Sequence, residues 1–151
     1  MLGWGRAISA VGRTVRIGVD SGAELSVWPE GLFAETPLVP NDDSAAGVMY
    51  WGPGDIDQPS IRDLGSRSFE LLIGGKARQM KPHIAQVRKP LLAVCDLNDK
   101  GHDVHFMCDG RAWAEHRATG EVTQFERVGG RYEIVAEVVR PSGPPGRGSR
   151  L

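Results

Sequence analysis

Thr14-Val15-Arg16-Ile17-Gly18-Val19-Asp20-Ser21-Gly22-Ala23-Glu24-Leu25-Ser26-Val27-Trp28 carries the densest structural signal in the chain. Val15, Ile17 and Val19 alternate with Thr14, Arg16 and Gly18, the period of two that buries one face of a β-strand. The strand runs into an acid, a hydroxyl and a glycine, a composition that favours a tight turn. A carboxylate is thereby presented at the strand's end. Upstream, Ala7–Val11 followed by Gly12-Arg13 predicts the first arm of a hairpin. Downstream, Leu25–Trp28 alternates again and Pro29 stops it.

Working outward, strand signals outnumber helix signals. Thr36–Gly47 is rich in Pro, Asn, Asp and Ser and is expected to be a loop. Val48–Trp51 predicts a strand that meets a strong turn at Gly52-Pro53-Gly54-Asp55. Phe69–Ile73, Gly74-Gly75 and Ala77–Met80 predict a second hairpin. Ile84–Val87 reads as a further short strand, and Val94–Asp99 as a short helix closed by Gly101. The last third predicts a meander: Val104–Met107, Ala112–His116, Val122–Arg127 and Arg131–Val139, turning at Asp109-Gly110, Thr119-Gly120 and Gly129-Gly130. Within it Tyr132, Ile134, Ala136 and Val138 share a face. The expectation is an all-β domain over 7–140, with a core over about 7–107, a C-terminal meander over 108–140 and a disordered tail over 141–151. No internal repeat is visible.

Composition bounds the functional classes. The 151 residues suit one domain with one core. A net charge of −1 gives no electrostatic reason to expect nucleic acid or an anionic membrane as partner. Apolar runs such as Leu91–Cys95 are far too short to span a bilayer. The first nineteen residues hold Arg6, Arg13 and Arg16 and no acid, a bias shared with transit peptides. The glycines at 3, 5, 12 and 18 argue against the amphipathic helix such a peptide needs. Two cysteines, Cys95 and Cys108, make neither a disulfide framework nor a C-x-x-C pair. A reducing, intracellular and cytoplasmic setting is expected.

A lone carboxylate titrates near about 4 and is a poor base at neutral pH. Two carboxylates sharing a site cannot both ionise, so the pair holds one proton. Its ionised member can deprotonate a water while the protonated member polarises a carbonyl. This chain has one Asp-Ser-Gly, so a pair requires a second copy, and a two-fold axis brings the same patch face to face. Taken by itself the tripeptide is a common turn.

The flanks carry more. The run Val11–Val27, with Gly12 at a hairpin turn and Asp20-Ser21-Gly22-Ala23 after an apolar strand, resembles the retropepsin-like aspartic proteases, especially those encoded by retroelements. The similarity continues through Tyr50-Trp51-Gly52-Pro53-Gly54-Asp55, where that family has its flap, and through Val87–Ala93, where it has a strand before a short helix. It covers roughly Ala7 to Met107. The resemblance implies a barrel with one short helix, and a homodimer with Asp20 from each subunit at the interface. It also implies a flap at Tyr50, Trp51, Gly52, Pro53 and Gly54 over an extended peptide or polyprotein substrate. Ser21, Gly22 and Ala23 would complete the active turn; Leu91, Leu92 and Ala93 would support it; no cofactor or metal is implied. Ala93 stands where the family usually has Gly. The family's dimerising terminal strands have no obvious counterpart, and Arg131–Val139 is the substitute considered.

Other groupings carry less. His102, His105 and Cys108 lie three apart on an expected strand, so they face opposite sides and do not converge as zinc ligands. Gly74-Gly75-Lys76 lacks the phosphate-loop pattern. Ser21 has no histidine nearby in sequence, and G-x-S-x-G is absent. Trp28 and Trp113 are assigned to packing, Cys95 to a buried place beside the helix, and Trp51 to flap or core. The expected function is a homodimeric aspartic endopeptidase. The alternatives are a catalytically inactive peptide-binding module of the same fold, or a structural appendage of a larger polyprotein using the meander as its contact surface.

Overall fold

A computed structural model describes residues 13–141 and 149–150. The expected first arm over Ala7–Val11 lies outside the described residues. The chain is mostly β. In order it forms β1 (Arg13–Asp20), β2 (Val27–Pro29), α1 (Asp42–Ala45), β3 (Met49–Tyr50), β4 (Ile61–Arg62), β5 (Gly65–Ser66), β6 (Phe69–Ile73) and β7 (Lys76–Met80). Then come β8 (His83–Ala85), β9 (Leu91–Ala93), α2 (Val94–Asp99), β10 (His102–Phe106), β11 (Ala112–His116), β12 (Val122–Val128), β13 (Arg131–Pro141) and β14 (Ser149–Arg150).

Among the described residues twelve strands form one sheet whose main path runs β10-β11-β12-β13-β1-β9-β2-β8-β5, with β6, β7 and β14 branching from β13. The path is open at β10 and at β5 among the described residues. β3 and β4 pair separately as a hairpin. The predicted turn at Gly74-Gly75 joins β6 to β7, and both glycines have positive φ (58° and 78°), as the tightest hairpin turns require. Among the described residues no helix is long and apolar enough to cross a membrane.

The core gathers where the two halves of the sequence meet. Val15 and Ile17 of β1 are buried together with Ile134, Ala136 and Val138 of β13, Leu92 of β9 and Leu97 of α2. Trp28 stacks on Phe69 with ring centroids 4.7 Å apart, and Phe33 meets Phe69 edge-on at 5.8 Å. Trp28 is thus a packing residue as expected. Trp113 is half-buried, stacked on His105.

Three expectations need correction. Thr36–Gly47 is not all loop: Asn41 accepts from Ser44 N–H and the Ser44 hydroxyl accepts from Asn41 N–H, and this reciprocal cap nucleates α1. The described residues therefore hold two short helices where one was expected. Within the stretch expected as a tail, Ser149 and Arg150 pair in parallel with Arg78 and Gln79 of β7. Finally, β13 is already paired within the chain on both sides over most of its length. It pairs with β1 from Tyr132 to Val138 on one side, and with β12 and β6 on the other.

Candidate active site

Asp20 closes β1, and its position is set by β9. The two strands flanking the Asp turn, β1 and β2, are not hydrogen-bonded to each other; β9 lies between them. It runs parallel to β1, with Gly18, Val19 and Asp20 opposite Leu91, Leu92 and Ala93, and antiparallel to β2, with Val27 opposite Leu91. Gly18 N–H donates to Pro90 O at 3.0 Å. Of the residues named for the site, Asp20 thus lies opposite Ala93, while Leu91 and Leu92 lie opposite Gly18 and Val19.

Within the turn, Gly22 N–H donates to Asp20 Oδ1 at 2.8 Å, the local bond by which an aspartate folds the chain back on itself. Asp20 is half-buried, and Ser21 and Gly22 are exposed. The far end of the turn is strapped to α2 through Ser26, Cys95 and Asp96, by contacts the sequence did not predict. Ser26 Oγ accepts from Ala93 N–H at 3.0 Å, and Ser26 N–H donates to Asp96 Oδ2 at 2.8 Å. The Cys95 thiol donates to Ala23 O at 3.4 Å and to Glu24 O at 3.2 Å. Cys95 is therefore in the helix and half-buried, not packed away beside it. Asp96 sits in the first turn of α2, where an acid reads as a helix-dipole partner; its use across the fold has no sequence signal. Ala93 has φ −76° and ψ 133°, ordinary backbone for any L-residue, so the methyl in place of glycine brings no backbone strain.

Asp20 opens into a cleft of about 420 Å³ lined by Gly18, Val19, Asp20, Ser21, Leu91, Phe106, Gly130, Arg131 and Tyr132. Its walls come from β1, β9, the end of β10 and the β12–β13 turn. Tyr50, Trp51, Gly52, Pro53 and Gly54 are not among the lining residues. They occupy β3 and the loop beyond it, where Trp51 is 61% exposed and Gly52 N–H donates to Asp55 Oδ2 at 2.7 Å.

A second polar cluster anchors that hairpin. Asp63, immediately after β4, is 1% exposed. Its Oδ2 accepts from Tyr50 Oη at 2.6 Å and lies 2.6 Å from His83 Nδ1. Its Oδ1 accepts from Gly65 N–H at 2.9 Å and from Asn41 Nδ2 at 3.2 Å. Burial would raise this carboxyl, but the bonds from Tyr50, His83 and Gly65 outweigh it and hold Asp63 below the usual range. Burial and the Asp63 carboxylate push the Tyr50 phenol up. Asp43, Asp63 and His83 offer ligand atoms within 4.8 Å of one another. Both oxygens of Asp63 are already engaged by protein groups, so the arrangement reads as a satisfied hydrogen-bond network. Gly65 beside it is obligatory: its φ is 123°, and a Cβ there would lie 2.6 Å from Val39 O.

The histidines of β10 do not converge with Cys108. His102 is buried rather than exposed, with Nδ1 3.2 Å from Leu97 O and its ring 4.8 Å from that of His116 across the strand pair. Burial lowers its pKa, opposed by the Leu97 bond and reinforced by the nearby charges of His116, Arg78 and Lys100. Neither a family model, nor a curated protein, nor a solved structure matches this chain.

Proposed function

We propose that the chain is an aspartic endopeptidase with a retropepsin-like barrel, active as a homodimer in which each subunit contributes Asp20. The observation that carries this reading is the β1–β9–β2 arrangement. It holds a half-buried carboxylate at a strand end, folds the turn around it through Gly22 N–H, and leaves it facing an open cleft. Two such carboxylates apposed across a two-fold axis would share one proton. The ionised Asp20 takes a proton from water as that water attacks the peptide carbonyl; the protonated Asp20 of the other subunit donates to the carbonyl oxygen. The tetrahedral intermediate then collapses with proton delivery to the leaving nitrogen, and no covalent enzyme intermediate forms.

The test is cleavage of an extended-peptide library between acid and neutral pH by the wild type and by Asp20→Asn. The substitution is expected to lower kcat by about 10²–10⁴-fold with an unchanged circular-dichroism spectrum and melting curve. Equal cleavage by both proteins would exclude Asp20 as the acid–base group.

The inactive binding module is the second reading, and the doubly paired β13 favours it, because most of that strand's edges are already taken within the chain. Sedimentation separates the two: a protein that stays monomeric at high concentration holds half of the carboxylate pair and can bind but not hydrolyse.

A further inference from the structure

A cavity of about 160 Å³ lies between the strap of the Asp20 turn and the Asp63 cluster. Its lining takes Ser26 and Asp96 from the first and His83 from the second, and adds Lys81 and Lys100. β2 and β8 bring the two together: Val27 lies opposite His83, and His83 N–H donates to Ser26 O at 3.0 Å. The imidazole is held by its other edge. Asp63 Oδ2, kept as a carboxylate, can only accept, so at 2.6 Å the proton between the two groups belongs to His83 Nδ1. No described residue bonds the second ring nitrogen, Nε2, which is the polar atom His83 has left for the cavity. Lys81 is exposed and has no ion-pair partner among the described residues. Among the described lining residues Asp96 is the one carboxylate, and its Oδ2 already accepts from Ser26 N–H at 2.8 Å. Two ammonium groups and an imidazole therefore line a cavity with little acceptor capacity to spare, which suits an anion and disfavours a metal cation.

We infer that this cavity is a binding site for a small oxyanion of the phosphate or sulfate class, held by the Lys81 and Lys100 ammonium groups and by His83 Nε2–H. The imidazole contributes only when both of its nitrogens carry a proton. With Nδ1–H committed to Asp63, the neutral ring turns a lone pair toward the anion and repels it. Binding therefore tightens as pH falls through the range in which His83 gains its second proton. The titratable and charged groups around that ring are Asp63, Asp43 and Tyr50 on the Nδ1 edge and Lys81, Lys100 and Asp96 about the cavity. β2 and β5, paired on either side of β8, hold no ionisable side chain. Because Ser26 and Asp96 also hold the Asp20 turn against α2, the bound ion sits against the support of that turn without entering its cleft.

The experiment titrates the full chain, carrying isotope-labelled histidine, with sulfate at an ionic strength held constant by chloride. Sulfate stays doubly ionised throughout, so any pH effect belongs to the protein. The wild type is expected to bind about 10-fold more tightly at about pH 5.5 than at about pH 8. The His83 Nε2 resonance is expected to move with sulfate while Nδ1 stays protonated. Lys81→Ala, at an exposed position that leaves the Asp63 network whole, is expected to weaken binding about 3-fold or more at both pH values. His83→Gln, which keeps an N–H for Asp63, is expected to abolish the pH dependence. Inorganic phosphate against O-phosphoserine then separates a free ion from a phosphoryl group carried on a larger molecule, and saturable, Lys81-dependent binding of either supports the site. Absence of saturable binding, an affinity that Lys81→Ala leaves unchanged, or a pH dependence that survives His83→Gln overturns it.

Discussion

A methyl group at Gly22 would meet only Asp20 Oδ1, at 3.4 Å, an ordinary van der Waals contact. Within one chain nothing sterically demands glycine there. The demand, if the turn works as proposed, comes from a second backbone brought up against it. Gly22→Ala is accordingly expected to change the stability of the isolated subunit by no more than about 0.5 kcal/mol while lowering both dimer affinity and cleavage. Denaturation at low concentration, sedimentation and peptide hydrolysis measured side by side check this. A loss of cleavage with full dimerisation would place the constraint at the substrate instead. At this scale Asp20 was readable in advance because a strand ending in Asp-Ser-Gly states its own local geometry. Ser26, Cys95 and Asp96 were not. Their contacts with the turn or with α2 span about seventy residues, and a serine, a half-buried thiol and a first-turn acid all have commoner local explanations.

The β3–β4 hairpin is tied to the body of the protein mainly where β4 ends. Asp63 gathers Tyr50 from β3, Asn41 from the cap of α1, His83 from β8 and its own neighbour Gly65. Because the folded-state pKa of Asp63 is depressed, the network stabilises the protein fully at pH above the ordinary carboxylate value of about 4. That contribution fades as pH falls from there through the folded-state value. Asp63→Asn keeps the shape but removes the charge. It is expected to cost about 2 kcal/mol at pH 7, with the gap to wild type narrowing below about pH 4. Urea midpoints across that range measure it, and amide exchange at Met49, Tyr50 and Ile61 reports whether the hairpin loosens first. A gap that does not change with pH would mean that the ionised carboxyl is not the source. The hairpin itself was half legible: Val48–Trp51 and its turn stood out, whereas β4 and the anchor did not. Two-residue strands are too short to show a period, and the polar run that hid α1 also hid Asn41 as a cap.

Seen whole, the molecule does not divide at the expected line between a core over 7–107 and a meander beyond it. β13 pairs with β1 along seven consecutive positions, Arg13 with Val138 through Val19 with Tyr132, and its Ile134, Ala136 and Val138 complete the core. A chain ending at Met107 would leave β1 with β9 alone along its last three residues, without its antiparallel partner β13 and the cover that Ile134, Ala136 and Val138 give to Val15 and Ile17. Such a truncation is expected to lose cooperative thermal unfolding and the dispersed amide spectrum of the full chain. A sharply melting 1–107 fragment would show that the meander is dispensable. The meander's strands and turns were readable because each strand pairs with its sequence neighbour. Where β13 goes next was not, since partners more than a hundred residues apart leave no local trace.

The same long-range pairing governs when the Asp20 turn can exist. β9 must enter between β1 and β2, and β13 must then lie along β1 as far as Val19. During synthesis the turn leaves the ribosome on the order of ten seconds before Tyr132 does. In that interval Asp20 sits on an incomplete scaffold, without the cleft wall that Gly130, Arg131 and Tyr132 supply and without β13 along β1. If the turn is half of a protease, the newborn chain is silent until its own last third has emerged, and any polyprotein carrying it stays uncut for at least that long.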